Sequence, residues 1–240
     1  LMHPDGRVVV LTVPSRPIGV PVHYKAEYWM RRGEELVAMT PEALRYVFME
    51  AQVDYSAEVC AGASMDDLDP VAIDALRRRW AEHSGNTALL QLDDAQLLDD
   101  AELTTDGGLT YAALILLGTH KALGRRLAQA ETIYEYRTTE GHISYAQRQE
   151  FRRGFLGYLD ELWELINQRN DLHFIREGLF RRDLPTFNKS AVYEGLLNAL
   201  AHREYQLGGS IFVKLWPRKL QVVSPGGFPN GITAENMLWK

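Results

Sequence analysis

The spacing of apolar positions changes several times along the chain, and each change marks an expected element. Residues 7–14, RVVVLTVP, are β-branched and end at Pro14, which predicts a strand followed by a loop carrying Pro17 and Pro21. EYWMRRG, at 27–33, predicts a short second strand. Thr40 is then a good N-cap and Pro41 suits the first helical position, so a helix is expected through Ala43, Leu44, Val47 and Phe48. From Val53 to Thr105 the pattern becomes short acidic helices with polar connectors, capped at Asp67 or Asp69.

Beyond that segment, Asp106-Gly107-Gly108 reads as a tight turn, LTYAALILLG as a helix stopped by Gly118, and AETIYEYR, 130–137, as a strand. From Ser144 to Gln168 the residues Phe151, Phe155, Tyr158, Leu159, Leu162, Trp163 and Ile166 recur at three- and four-residue steps, which predicts one long amphipathic helix. Residues His173 to Leu184 predict a strand or bent hairpin ending at Pro185. A helix, EGLLNALAHREY, comes next. SIFVKLW (210–216) and KLQVV (219–223) then form a hairpin about Pro217-Arg218, SPGGFPNG closes it, and Thr233 caps a final helix.

Composition narrows the class. One cysteine, Cys60, allows no intramolecular disulfide and fits a reducing cytoplasm, with the thiol read as a small buried apolar group. No apolar run reaches the roughly 18 residues of a membrane span, and no signal peptide is visible, so a soluble protein is expected. The ends at Leu1 and Lys240 read as cuts through a longer protein. The net charge of −6 argues against a wholly basic nucleic-acid binder. Residues 51–105 hold 12 acids and 3 bases, however, so the remainder is positive and leaves scope for a local basic surface. The run Arg77-Arg78-Arg79 reads either as a phosphate grip or as a solvated face balanced by nearby acids. Arg148, Arg152 and Arg153, at the unfavourable end of the expected long helix, read either as an anion site or as plain exposed charges.

The helix EGLLNALAHREY carries the candidate chemistry. At about 100° per residue, Asn198 lies about 40° and His202 about 80° from Glu194, with Ala191 and Gly195 beside them. The remaining arc is apolar, so more than half the circumference is expected to be dry. Small neighbours leave room for a ligand, and a carboxylate and an amide one turn apart suit a hydrated magnesium ion. The competing reading places Glu194 and Asn198 in solvent and His202 as a satisfied interior histidine near the helix end.

With the strand pair and the Gly/Pro loop added, residues 191–237, AVYEGLLNALAHREYQLGGSIFVKLWPRKLQVVSPGGFPNGITAENM, resemble the signature of the RecG-related transcriptional regulators of the Schlafen AlbA_2 family, in their GHKL-like HATPase_c_4-type module. The N-terminal VVVLTVPSRPIGVPVHYKAEYWMRRGEELVAMTPEAL resembles the second half of the family's AlbA_2 DNA-binding domain, and GGLTYAALILLGTHKAL its inter-module connection. The resemblance implies an α+β chain. Residues 1–52 would be the C-terminal part of an AlbA_2-like α/β domain, 53–105 an acidic helical connector, and 106–240 a GHKL-like α/β sandwich, a mixed sheet with helices on one face, incomplete at its C-terminus.

The same resemblance implies Glu194 as general base toward water and Asn198 as a magnesium ligand, with His202, Ser224, Gly226 and Gly227 around a bound ATP. It implies DNA as partner, with Arg31 and Arg32 as phosphate-contact candidates, and a homodimer. Ser224 stands where the family superfold carries an adenine-reading aspartate, and no GxxxxGK[ST] phosphate loop exists, so the motif content excludes a helicase and supports at most a weak ATPase. Three functions follow: a cytoplasmic DNA-binding regulator with a nucleotide-binding module, a magnesium-dependent ATPase switch using Glu194 and Asn198, or a non-catalytic structural or dimerisation module.

Overall fold

The computed structural model describes residues 2–3, 6–7, 16–17, 19–49, 54–141, 144–177 and 180–226. The chain divides into two compact units, Leu1–Val53 and Asp54–Lys240. It is an α+β protein, and no helix among the described residues is long and apolar enough to cross a membrane.

In the first unit, β1 (Met2–His3) pairs with β2 (Gly6–Arg7). Strands β3 (His23–Tyr24), β4 (Glu27–Arg32) and β5 (Glu35–Ala38) form an antiparallel sheet. Lys25 and Ala26 both take positive φ, 51° and 66°, as a two-residue hairpin turn demands. Helix α1 (Pro41–Met49) starts as the Thr40-Pro41 pair predicts, with the Ala43 amide donating to Thr40 Oγ1 at 3.2 Å. Of the strand expected over 7–13, all but Arg7 lies outside the described residues.

The second unit opens with a helical layer. It holds α2 (Pro70–Ser84), α3 (Asp94–Asp100), the small β6 (Thr104–Thr105) and β7 (Gly108–Leu109) pair, α4 (Tyr111–Leu117) and α5 (His120–Arg126). Side-chain oxygens of Asp69, Asp93, Thr110 and Thr119 cap the four helices in turn. Of the two expected caps, Asp69 serves α2, while Asp67 is buried and ion-paired with Arg125 and Arg126. Leu97 and Leu98 from α3 share one core with Leu114, Leu117 and Leu123, so apolar packing runs straight across the boundary expected at 105/106.

Next come β8 (Thr132–Tyr136), β9 (Gln147–Phe151), α6 (Leu159–Asn167), the hairpin β10 (Leu172–Glu177) and β11 (Phe180–Pro185), α7 (Lys189–Ala201), β12 (Ile211–Trp216) and β13 (Lys219–Val223). Four strands form a mixed sheet in the order β13-β12-β8-β9, in which β12 runs parallel to β8 and the other pairs are antiparallel. Tyr134, Ile211, Val213 and Leu215 on one face of this sheet pack with Leu159, Leu162, Trp163 and Ile166 of α6 and Val192 and Leu196 of α7. At roughly 1.5–3 kcal/mol for each fully buried large apolar side chain, this interface is the main source of stability for the sheet.

The single helix expected over 144–168 is not formed. Residues 147–151 are instead a strand, Phe155–Gly157 a short 3-10 turn, and only Leu159–Asn167 is α-helical. Gly154 makes the break. Its amide donates to Gly118 O at 2.7 Å, and a Cβ there would lie 2.5 Å from the carbonyl carbon of Leu117, so chain and chain meet where only glycine fits. Arg148, Arg152 and Arg153 therefore do not sit on a helix, and each has a carboxylate partner. Arg148 pairs with Glu150 at 2.8 Å, Arg152 with Glu131 at 2.9 Å, and Arg153 with Glu161.

Candidate functional site at the end of helix α7

Helix α7 is set in place from its first turn. Asn188 Oδ1 caps it by accepting the Ala191 amide at 3.2 Å. Asn170, just after α6, holds the approach by accepting the Phe187 amide at 2.8 Å and donating to Phe187 O at 2.9 Å. The dry arc of α7 is narrower than the sequence predicts: Val192 and Leu196 are buried, whereas Leu197 and Ala201 are exposed. Tyr193, Ala199 and Leu200 add partly buried contacts to the core shared by α6 and the sheet.

Glu194 and Asn198 share an exposed stripe, and Asn198 Nδ2 donates to Glu194 Oε1 at 3.1 Å. The carboxylate thereby orients the amide, and the side-chain Oδ1 of Asn198 keeps no protein partner among the described residues, which is the acceptor a hard cation or a water would use. His202 does not continue the stripe. The helix ends at Ala201 and His202 is its C-cap, exposed, with its own amide turned back to Asn198 O at 3.0 Å. The angular progression stops where helical backbone stops, so His202 is neither interior nor third on the arc, while Glu194 and Asn198 lie in solvent as the competing reading has them.

The loop after β13 returns to this helix end. Ser224 Oγ donates to Ala199 O at 2.7 Å, and the Glu204 amide donates to Pro225 O at 3.0 Å. Gly226 has φ +129°, and a Cβ on it would meet Glu204 N at 3.2 Å and His202 O at 3.3 Å. The positive φ favours glycine there, and the space for a Cβ is tight. The structure thus brings Glu194, Asn198, the His202 backbone, Ser224 and Gly226 onto one helix and the loop docked on its end. Gly227 lies outside the described residues. Arg31 and Arg32 belong to the first unit, exposed on β4 opposite Leu36 and Glu35.

Arg203 was not singled out by sequence, yet it is the buried charge of this region, at 5% exposure. Tyr205 accompanies it, buried with its hydroxyl donating to Leu200 O at 3.0 Å and the Arg203 guanidinium 5.1 Å from its ring centre. A charged residue between His202 and Glu204 carries no local sign of burial; the sole cue is the apolar and glycine content that follows it.

Elsewhere, a surface depression of about 450 Å³ is lined by Met65, Asp93, Gln96, Leu98, Asp99 and Thr104. Its two carboxylates are already engaged, Asp93 by the Gln96 amide at 2.8 Å and Asp99 by the Thr104 hydroxyl at 3.1 Å. The Arg77-Arg78-Arg79 run is likewise spoken for at two positions: Arg77 binds Asp74 and Asp94, and Arg79 binds Asp160 at 2.6 Å.

Residues 45–134 match a family described as a domain of unknown function, DUF8451. This stretch begins inside α1, covers the helical layer and ends inside β8. The fold is similar to the crystal structure of the DIP2311 protein from Corynebacterium diphtheriae, with a TM-score of 0.62 and 28% identity over 89% of this chain. The chain spans 42% of the length of that protein. No curated protein matches the chain.

Proposed function

We propose that this chain is part of a cytoplasmic DNA-binding transcriptional regulator whose second unit binds a magnesium nucleotide at the end of α7. The observation that carries the reading is the joined geometry of helix and loop. Glu194 and Asn198 are paired on an open face at 3.1 Å, and the glycine loop is fastened to the same helix by Ser224 at 2.7 Å. Asn198 supplies the hard oxygen for a nucleotide-bound magnesium ion, and Glu194 orients a water beside it. Ser224 offers a hydroxyl where a carboxylate would read adenine more firmly, and this one is already donated to Ala199 O. Adenine recognition at this position is accordingly weak, and the nucleotide serves as an effector. The DNA contact is assigned to the first unit, with Arg31 and Arg32 on phosphates, and the regulator works as a homodimer.

Equilibrium binding of ATP to the whole chain, with and without magnesium, tests this. Magnesium-dependent binding is expected, weakened about tenfold, or roughly 1.4 kcal/mol, by Asn198→Ala. Absence of ATP binding by the wild-type chain rejects the nucleotide assignment, and binding unchanged by Asn198→Ala rejects the metal role. For DNA, a salt series on duplex should give a steep loss of affinity that becomes shallower when Arg31 and Arg32 are both replaced by alanine.

A further inference from the structure

Arg203 is held in a way that packing alone does not require. Its Nη2 donates to two carbonyls, of Gln129 and Gly209. These lie just ahead of β8 and β12, the parallel pair in which Ile211 sits opposite Thr132. Nε and Nη1 are buried with no hydrogen-bond partner. Glu131, the acid in electrostatic reach, is bound instead by Arg152 at 2.9 Å and by Ser210 Oγ at 3.0 Å. Burial pulls the Arg203 pKa below that of an ordinary arginine. A buried guanidinium without a carboxylate is costly, and a methionine would fill the same space.

What the charge secures is the seat of the glycine loop. Both neighbours of Arg203 touch that loop: His202 O and Glu204 N are the atoms against Gly226, and Glu204 N is the donor to Pro225 O. Gly209, whose carbonyl Arg203 holds, has φ +108° and is the residue against which Pro225 Cγ packs, 3.3 Å from a Cβ built there. The Gln129 side chain returns to the same segment, donating to Tyr205 O at 2.8 Å. One side chain therefore ties two strand entrances to the segment on which the loop rests. We propose that Arg203 is the positioning residue of the Ser224–Gly226 loop, setting its distance from the Glu194–Asn198 face; the consequence for ligand affinity rests on the nucleotide assignment above.

Residue-resolved hydrogen exchange in the nucleotide-free chain, for Arg203→Met and Arg203→Lys, tests the proposal. The Glu204 amide is expected to exchange about tenfold faster in the methionine variant, while amides within β8 and β12 keep wild-type rates. Lysine keeps the charge and reaches one of the two carbonyls, so it should restore part of the protection. ATP affinity should fall in the same order. Equal acceleration throughout β8 and β12 identifies a purely structural role and overturns the proposal, as does wild-type exchange at Glu204 in both variants. If the methionine variant does not fold, the lysine variant decides on the same two criteria. Failure of the wild-type chain to bind ATP rejects the nucleotide assignment alone, because the exchange is read without nucleotide.

Discussion

Two buried charges tie distant parts of the second unit together, and they do so in opposite ways. Asp67, at 8% exposure, accepts from Arg125 at 2.7 Å, from Arg126 at 3.3 Å and from the Ser64 amide at 3.2 Å, while Arg126 also donates to Ala61 O at 2.6 Å. Its charge is met by opposite charge. Arg203 hydrogen-bonds only carbonyls, with the Tyr205 ring beside it and the Glu131 carboxylate held by other partners, and keeps two nitrogens without a partner. The first arrangement belongs to a stable helical core. The second tolerates an electrostatic penalty where a loop must be held at one distance from a helix.

The contrast predicts unequal responses to mutation. Asp67→Ala leaves the half-buried Arg126 guanidinium with only the Ala61 and Gly62 carbonyls and removes the Ser64 anchor, so a loss of about 2–3 kcal/mol is expected in denaturant unfolding. A loss no larger than that of a surface substitution breaks the comparison from the Asp67 side. Gly226→Ala comes next. It forces a side chain onto φ +129° and into contact with Glu204 N and His202 O, at a cost of about 1–3 kcal/mol that the loop can escape by undocking. The expected outcome is a small global change with loss of protection at the Glu204 amide; protection retained would show that the loop stays seated despite the clash. Arg203→Met should change global stability by about 1 kcal/mol or less, because two lost hydrogen bonds are offset by relief of an uncompensated buried charge. A change as large as that of Asp67→Ala would erase the distinction between the two centres.

Both centres were hard to see in the sequence for the same reason. Local signals were legible: Thr40-Pro41 and Asp69-Pro70 mark helix starts, Pro217-Arg218 joins β12 to β13, and the segment 172–185 folds as a hairpin. Each of these depends on neighbours a few residues apart. Asp67 meets Arg125 across 58 positions and Arg203 meets Gln129 across 74, so their burial is set by tertiary structure that no local period encodes. Strand β9 was hidden differently. Phe151 happens to fall in phase with the apolar stripe of α6, and only the close approach of Gly154 to Leu117 and Gly118 separates the two elements. At the candidate site the Glu194–Asn198 pair was legible from helical spacing, whereas the place of His202 depended on where the helix ends.

Asp160 supplies the exposed counterpart that sharpens the comparison at its weak end. Its carboxylate accepts from Arg79 at 2.6 Å and from the Tyr193 hydroxyl at 3.0 Å, linking α2 and α7 through the first turn of α6. Partial burial pushes its pKa up, but the Arg79 and Tyr193 hydrogen bonds, together with the charges of Arg79 and Lys189, outweigh that and hold it below the usual carboxylate range. The Asp160 side chain is 71% exposed, so solvent screening limits the effect to about 0.5 kcal/mol. For a carboxyl whose pKa is depressed on folding, the stabilisation is complete above the unfolded-state pKa and is lost as pH falls through the folded-state value. Asp160→Asn should therefore be slightly less stable than wild type near neutral pH, and the two should converge as pH falls through the depressed folded-state pKa of Asp160. Unfolding free energies of the pair measured across that range check the sign, and a difference that persists undiminished in acid would assign the contribution of Asp160 to hydrogen bonding that the amide cannot reproduce rather than to its charge.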